Sequence, residues 1–321
     1  MVKKTLNVIL IVCIIFSINS CSNNAKKVNN ENELEGTISI SGAFALYPMT
    51  VKWANEFQKL HPNVRIDVSA GGAGKGIADA LAKMVDFGMV SRGITSEEIA
   101  KGAWFIALTK DAVFPTINLD NPVKNDLLKN GVTKAQFIKV FLTEEIKTWG
   151  ELAKNASTEK INVFTRSDAC GAAEMWGKYL GKNQESLKGT GVFGDPGIAD
   201  AVRKDKNSIG FNNLNFVFDF KTRKKYDNIE IIPIDLNENG KIDADENFYN
   251  TIDEITAAIQ AGKYPSPPAR DLYFVAKGKP ESKIAIAFLT WILTDGQKFV
   301  KEAGYVDLPK EKIEGELAKL K

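Results

Sequence analysis

From residue 37 onward the chain alternates between two hydrophobic patterns. Short runs such as 37–41, 64–68, 162–165 and 208–211 carry apolar residues at every second position, which is typical of strands. Longer runs between them, such as 49–60, repeat apolar residues every three to four positions, as amphipathic helices do. Strands that alternate with helices over roughly 280 residues predict open α/β sheets, and a chain of this size favours two lobes over one sheet.

Charge and composition exclude several functions. The 321 residues include 42 Lys+Arg, 40 Asp+Glu, three cysteines and a single histidine, for a formal net charge of +2. With no basic block, nucleic acid is not expected as a partner. One histidine cannot form a histidine-based metal site, and three cysteines cannot form a disulfide framework.

The N-terminus has the pattern of a bacterial lipoprotein signal. Lys3 and Lys4 precede an apolar run over 6–18, and Cys21 follows it. The run is short for a membrane-spanning helix, so we predict a signal peptide over 1–20, a lipid on Cys21 and a polar tether over 21–36. The alternative is an uncleaved N-terminal anchor. The mature chain is therefore expected to be an extracytoplasmic lipoprotein, attached to the membrane through Cys21.

Three segments share one design, in which a strand is followed by a loop of small residues and then by a helix start. They are 41–48 (SGAFALYP), 70–76 (AGGAGKG) and 166–172 (RSDACGA). Small residues let a ligand approach the backbone, and helix N-termini present unpaired N–H groups to anions. With Arg92 and Arg166 at the ends of predicted strands, the pattern indicates an oxyanion site. The alternative is that the glycines only permit tight packing. The glycine spacing fits neither a P-loop nor a dinucleotide fingerprint.

The sequence resembles the phosphate-binding proteins of bacterial ABC importers. The resemblance covers roughly residues 38–310 and rests on the stretches SGAFALYPMTVKWANEFQ, SAGGAGKGIADALAKMVDFGMVSR, FLTEEIKTWGEL, FTRSDACGAAEMW, SIGFNNL and FLTWILTDGQKFVKEAGYVDLP. It implies an α/β fold of the type II periplasmic-binding-protein class, with two lobes, two crossing strands and a ligand in the cleft. Lobe 1 is expected over 37–112 and 268–321, and lobe 2 over 113–267.

The resemblance also implies a set of phosphate-binding positions. Two family hydroxyls are absent from the third loop, where Cys170 stands for serine and Ala172 for threonine. Phosphate is the expected ligand, and the lost hydroxyls leave a different oxyanion or a phosphorylated small molecule as the alternative. The implied positions are Ala43, Phe44, Ala45, Leu46, Gly72, Ala73, Gly74, Ser91, Arg92, Arg166, Asp168, Cys170, Gly171 and Ala172.

The competing function is a surface hydrolase that uses Cys170 or Asp168. No histidine lies in the motif to activate the thiol, so we expect a binding protein with no catalytic residue and no cofactor for its activity. The resemblance implies phosphate or a similar oxyanion as ligand and a membrane permease as partner. The protein is expected to act as a monomer.

Residues 235–246 (DLNENGKIDADE) match the calcium-loop pattern D-x-[DN]-x-[DN]-G-x5-E. Such loops offer Ca²⁺ six to eight oxygens, with a glycine at the sharp turn. A strand-like run precedes this loop where an EF-hand has a helix, and a polar turn is the alternative. The pattern predicts a structural Ca²⁺ held by Asp235, Asn237, Asn239, Lys241 through its carbonyl, Asp243 and Glu246.

Overall fold

The computed structural model describes residues 33–321. The predicted signal peptide, the lipidation residue Cys21 and residues 21–32 of the predicted tether lie outside the described residues. In chain order the elements are β1 (Gly36–Gly42), α1 (Tyr47–Leu60), β2 (Val64–Ala70), α2 (Ala73–Leu81), β3 (Phe87–Val90), α3 (Ser96–Ala100), β4 (Ala103–Ile117), α4 (Lys124–Asn130), α5 (Lys134–Phe141), α6 (Trp149–Ala153), β5 (Asn162–Arg166), α7 (Gly171–Tyr179), β6 (Thr190–Val192), α8 (Gly194–Lys204), β7 (Ser208–Asn213), β8 (Glu230–Ile231), α9 (Ile252–Gln260), β9 (Ala269–Lys277), α10 (Lys283–Leu293), α11 (Lys298–Glu302) and α12 (Lys310–Ala318).

The described strands form one continuous path in the order β2-β1-β3-β9-β4-β7-β5-β6, and β8 pairs with β4. At one end β2, β1 and β3 run parallel, and at the other end β6, β5 and β7 run parallel. Parallel strands place their carboxyl ends, and the helix starts that follow them, at one edge of each sheet. Both ends of the path are therefore built to present helix N-termini.

Strand β4 joins the two halves. Its residues from Ala103 to Ala112 pair antiparallel with β9, and those from Val113 to Ile117 pair antiparallel with β7. The 15-residue strand therefore begins in one half and ends in the other. Strand β9 returns the chain from the second half to the first beside β4, and these two strands cross between the lobes.

Two separate hydrophobic cores surround this crossing. One core packs α1 and α10 on the first sheet and includes Trp53, Phe57 and Phe288; the other packs α5 and α7 on the second sheet and includes Phe137 and Trp176. Helix α1 reaches its core because its buried residues recur at helical spacing, with Pro48 in its first turn. Among residues 33–321, no helix combines the length and the apolar character that crossing a bilayer requires.

Candidate functional site

The three small-residue loops meet at the crossing of the lobes. The Gly42 carbonyl accepts hydrogen bonds from the N–H groups of Gly71 (2.9 Å) and Gly72 (3.0 Å), which joins the first two loops. The Gly74 N–H donates to the Ala169 carbonyl at 3.0 Å, which joins the second loop to the third across the lobes. We call residues 43–46, 71–74 and 166–172 the donor centre.

Several N–H groups of the donor centre are left without an acceptor. The N–H groups of Phe44 and Ala45, of Ala73 at the start of α2, and of Gly171 and Ala172 at the start of α7 donate no hydrogen bond within residues 33–321. Ala45 and Ala73 are each 1% exposed and Ala172 is 2% exposed, so water cannot easily replace the missing acceptor. Buried N–H groups are rarely left unpaired, and an anion would satisfy them.

Arg166 lies in the same centre with its side chain fully buried. Its Nε and Nη2 donate to the carboxylate of Asp168 at 2.9 and 2.6 Å. Its Nη1 lies 2.7 Å from Oδ1 of Asp195, outside hydrogen-bond alignment, and has no hydrogen-bond acceptor among the described residues. Burial opposes the charge, but the nearby Asp195 carboxylate keeps the pKa of Arg166 above its ordinary value. A charged donor is therefore held ready for a further acceptor.

A second buried arginine, Arg270 at the start of β9, completes a polar network behind the centre. Its Nε donates to the Ser91 carbonyl at 3.2 Å, and its Nη2 donates to Oδ1 of Asn213. Its Nη1 lies 3.6 Å from Oδ2 of Asp111 and makes no hydrogen bond in the described chain. The Nδ2 group of Asn213 donates to Asp195 at 2.9 Å. The two arginines are thus connected through Asn213 and Asp195.

Burial controls the ionisation of the carboxylates. It raises the pKa of Asp111 to about 6 against the opposing charge of Arg270, and it raises the pKa of Asp195 despite Arg166 and Arg270. At Asp168 burial acts in the same direction, but the hydrogen bonds from Arg166 and the Gly194 N–H, together with the charge of Arg166, lower the pKa overall. Burial therefore disfavours the charged forms of Asp111 and Asp195, whereas Asp168 is held in its charged form.

Sequence reasoning missed Arg270, Asp195, Asp111 and Asn213. A signal was present for two of them, since Asp111 and Arg270 are charged residues inside mainly apolar strands, and charged side chains are rarely buried unless they are paired. The cross-strand register brings these two opposite each other. That register depends on the antiparallel pairing of β4 with β9, which local patterns do not reveal.

Arg92 does not join the donor centre. Its Nη1 and Nη2 donate to Glu98 at 3.0 and 2.7 Å, and Nη1 also donates to the Gly93 carbonyl. Glu98 is the third residue of α3 and part of the capping box with Thr95. Arg92 is thus paired with Glu98 in this structure, and its role in anion binding stays a prediction. The neighbouring residue Ser91 lies against the start of α7, where a Cβ on Gly171 would clash with its Oγ.

Leu46, Asp168 and Cys170 have structural contacts in the centre. The Leu46 N–H donates a hydrogen bond to the Ala43 carbonyl, so it is not free for an anion. The Cys170 sulfur caps α7 by accepting from the Ala173 N–H at 3.3 Å, and burial raises the pKa of its thiol to about 12. A neutral, buried thiol is a poor nucleophile. Asp168 is bound by Arg166 and by the Gly194 N–H, so it is not free to act as a base.

The acidic loop, residues 235–246, is closed by its own hydrogen bonds. Asp235 accepts from the N–H groups of Asn239 (3.2 Å) and Gly240 (2.8 Å). Glu246 accepts from the N–H groups of Leu236, Asn237 and Asp243. Both carboxylates are buried, at 2% and 4% exposure. The loop is a network of turns in which backbone donors already occupy the acidic side chains.

Three other polar side chains of the acidic loop contact Asp243. Its carboxylate accepts from the amide groups of Asn237 (3.0 Å) and Asn239 (2.6 Å), and the Lys241 ammonium lies 2.7 Å away. These contacts, that of Lys241 first, lower the pKa of Asp243 to about 2. Among the described residues no group of three or more His, Cys, Asp or Glu side chains is arranged to hold a metal ion. The loop as folded does not present a calcium coordination shell, and calcium binding stays a prediction.

Known proteins are similar in sequence to this chain over nearly its whole length. The phosphate-binding protein PstS of Staphylococcus epidermidis is 25% identical over 310 residues, covering 94% of this chain and 88% of that protein. The PstS of Staphylococcus aureus is 24% identical over 299 residues, covering 91% and 85%.

Solved structures agree with the sequence matches. A Clostridium perfringens protein solved with bound phosphate has a TM-score of 0.69 at 20% identity, covering 85% of this chain and all of its own. An ABC-type phosphate transport receptor from Vibrio cholerae has a TM-score of 0.61 at 18% identity over the same shares. The predicted two-lobed α/β fold and the family resemblance are confirmed. A family profile described as a PBP superfamily domain matches residues 27–296, and the chain belongs to that superfamily.

Proposed function

We propose that this protein is an extracytoplasmic receptor that captures inorganic phosphate and delivers it to an ABC importer. The PstS relatives and the phosphate-bound structural neighbour support the assignment, and the donor centre supplies a chemical reason for it. The receptor performs no covalent step. It acts as a monomer, closing its two lobes around the anion and presenting the closed state to a membrane permease.

One observation carries the proposal: the donor centre holds buried backbone N–H groups with no acceptor among residues 33–321, beside the buried guanidinium of Arg166. A tetrahedral oxyanion has enough oxygens to accept from all of these donors. Backbone donors need no side chain, so the absence of family hydroxyls at Cys170 and Ala172 leaves them intact. The centre therefore suits a small, fully dehydrated anion.

Isothermal titration calorimetry with phosphate, arsenate, sulfate, molybdate and tungstate tests this proposal. We expect phosphate to bind with a micromolar or lower dissociation constant and sulfate to bind more weakly. The reason is that the Asp195 carboxylate lies beside Arg166, and a carboxylate can accept the proton of a protonated phosphate but repels a dianion that carries none. If none of these anions binds more tightly than millimolar, the proposal fails. Tighter binding of another oxyanion would replace phosphate as the ligand.

We further propose that a lipid on Cys21 anchors the receptor to the membrane surface. Support comes from the sequence alone: a basic start, an apolar run over 6–18 and a cysteine directly after the predicted cleavage point. Labelling of cells with a radioactive fatty acid should mark the wild-type protein and not a Cys21→Ala variant. The variant should also be released from the membrane fraction, whereas label on both proteins would contradict anchoring at Cys21.

A further inference from the structure

Two glycines of the donor centre lie in direct contact with the opposite lobe. Gly74, the second residue of α2 in lobe 1, donates its N–H to the Ala169 carbonyl of lobe 2 at 3.0 Å. Gly171, the first residue of α7 in lobe 2, packs against the backbone of Ser91 in lobe 1. Both contacts therefore join the lobes outside the crossing strands β4 and β9.

Neither contact has room for a side chain. A Cβ on Gly74 would lie 2.7 Å from the Cβ of Ala169 and 3.0 Å from its carbonyl oxygen. A Cβ on Gly171 would overlap the carbonyl group of Ser91, with only 2.6 Å to its carbon atom. These separations are too short for a real Cβ atom. The lobes can therefore approach this closely only because both residues are glycine.

The groups that face Gly171 are held in place. Ser91 is 2% exposed, and its carbonyl accepts a hydrogen bond from Nε of the buried Arg270 at 3.2 Å. On the other side, the Cys170 N–H donates to Oε1 of Gln184 at 3.0 Å, which fixes the start of α7. An added methyl group is therefore accommodated by separating the lobes, because a closely packed neighbourhood leaves no space for a local shift.

Within its own lobe, each glycine can be replaced by alanine without strain. Neither Gly74 nor Gly171 has a φ in the left-handed region, and alanine has a higher helix propensity than glycine. The three atoms nearest to each added Cβ all belong to the opposite lobe. Gly76 differs, because its Cβ would lie 2.9 Å from Gly42 of the same lobe. Alanine at position 74 or 171 thus disturbs the contact between the lobes and neither lobe alone.

We infer that Gly74 and Gly171 are positioning residues that set how far the two lobes close, and that this closure retains the anion. The inference rests on the proposed function, because it concerns closure around the same anion site. Alanine at either position keeps every backbone N–H of the donor centre but holds the lobes apart. The donors of the two lobes then cannot reach one anion together, so the anion dissociates sooner.

Calorimetry with inorganic phosphate and the release of radiolabelled phosphate into an unlabelled excess test the inference. Gly74→Ala and Gly171→Ala should each weaken binding at least tenfold, through faster dissociation with an association rate within about threefold of the wild type. Small-angle X-ray scattering should show that phosphate compacts the wild-type protein and compacts these variants less. Melting temperatures without phosphate should not fall. Gly315→Ala in α12 is the matched control and should change none of these quantities, because its added Cβ meets nothing within 4 Å.

A compensating substitution separates a steric effect from damage to a helix. The atom nearest to a Cβ on Gly74 is the Cβ of Ala169, and Ala169→Gly removes it. The double variant should bind phosphate within about threefold of Ala169→Gly alone, whereas Gly74→Ala alone should be at least tenfold weaker than the wild type. Damage to α2 would not be relieved by a change in the opposite lobe.

The outcomes separate the two proposals. If the wild type binds phosphate and either alanine variant binds it equally well, the closure inference is overturned and the proposed function stands. A loss of affinity that comes with a lower melting temperature, or that persists in the double variant, also overturns the inference. If the wild type does not bind phosphate, the inference fails together with the assignment of phosphate as the ligand.

Discussion

The donor centre and the acidic loop are built from similar residues, but they leave their hydrogen-bonding groups in opposite states. Both contain glycines and acidic side chains. In the donor centre, Nη1 of Arg166 and several backbone N–H groups lack an acceptor among residues 33–321. In the acidic loop, Asp235 and Glu246 already accept from backbone N–H groups, and Asp243 accepts from two amides.

This difference separates a site that needs a ligand from a loop that does not. A buried polar group without a partner costs about 1–3 kcal/mol, which a ligand can recover on binding. A loop whose groups are already paired offers a ligand only an exchange of one set of contacts for another. Sequence motifs identify both regions equally well, whereas only the structure reveals which one has unused donors.

The largest expected effect comes from removing the charged donor. Arg166→Ala should weaken phosphate binding at least hundredfold, because truncating one member of a buried charge contact costs about 2–5 kcal/mol. The variant should also lose stability, since Asp168 and Asp195 keep buried carboxylates without their cation. Calorimetry measures the first effect and thermal melts measure the second.

Arg92→Ala is the matched control for this change. Arg92 was predicted for the same site but pairs with Glu98 instead. Its loss should leave phosphate affinity within about twofold, as expected for a pair outside the centre. Wild-type phosphate affinity in Arg166→Ala would show that Arg166 does not bind the anion. A large loss of affinity in Arg92→Ala would show that Arg92 does.

The polar network behind the donor centre, which includes Asp111, and the acidic loop should also differ in the sign of their pH dependence. Burial raises the pKa of Asp111 to about 6, so the stability it contributes is present below about pH 4 and is lost as the pH rises through 6. Asparagine cannot ionise, so Asp111→Asn keeps this stability at neutral pH. The variant should therefore be more stable than the wild type at pH 7, by on the order of 3 kcal/mol. The two proteins should be similar at pH 4.

Asp243 should behave in the opposite way. The Lys241 contact lowers its pKa to about 2, so its contribution is present above about pH 4 and is lost as the pH falls through 2. Asp243→Asn should therefore be less stable than the wild type at neutral pH, with the deficit vanishing in acid. Urea unfolding from about pH 2 to pH 8 measures both variants. The same sign for both would remove the contrast between the two regions.

Local sequence patterns identified much of the fold and the positions of the loops. Helical spacing and Pro48 located α1, and the small-residue segments were predicted correctly as turns before helices. These features depend on neighbours within a few residues. Loop 166–172 was predicted as a site segment for the same reason, since its arginine and glycine both lie in one short motif.

Contacts between distant segments could not be predicted in this way. Strand β4 reaches Ile117 because its second half pairs with β7, a distant segment of the chain. Arg270 reaches the centre only because β9 pairs antiparallel with β4. Arg92 follows a strand as Arg166 does, yet its partner Glu98 lies in the capping box of α3 and turns it away. The directions of the Arg270 and Arg92 side chains thus depend on partners that local sequence patterns do not show.

The smallest expected effect concerns calcium at the acidic loop. The match at Asp235, Gly240 and Glu246 predicts binding, and binding to the folded state alone adds RT ln(1 + [L]/Kd) to stability, about 2.7 kcal/mol at a hundredfold excess over Kd. The closed network opposes it, because Ca²⁺ would displace the amides of Asn237 and Asn239 from Asp243. We therefore expect the rise in melting temperature in millimolar Ca²⁺ over EGTA to be smaller than the rise with phosphate, and to vanish in Glu246→Ala. A rise as large as that with phosphate would show that hydrogen bonds closed within a loop do not exclude a ligand. No rise in the wild type, or an equal rise in the variant, would make the loop a turn only.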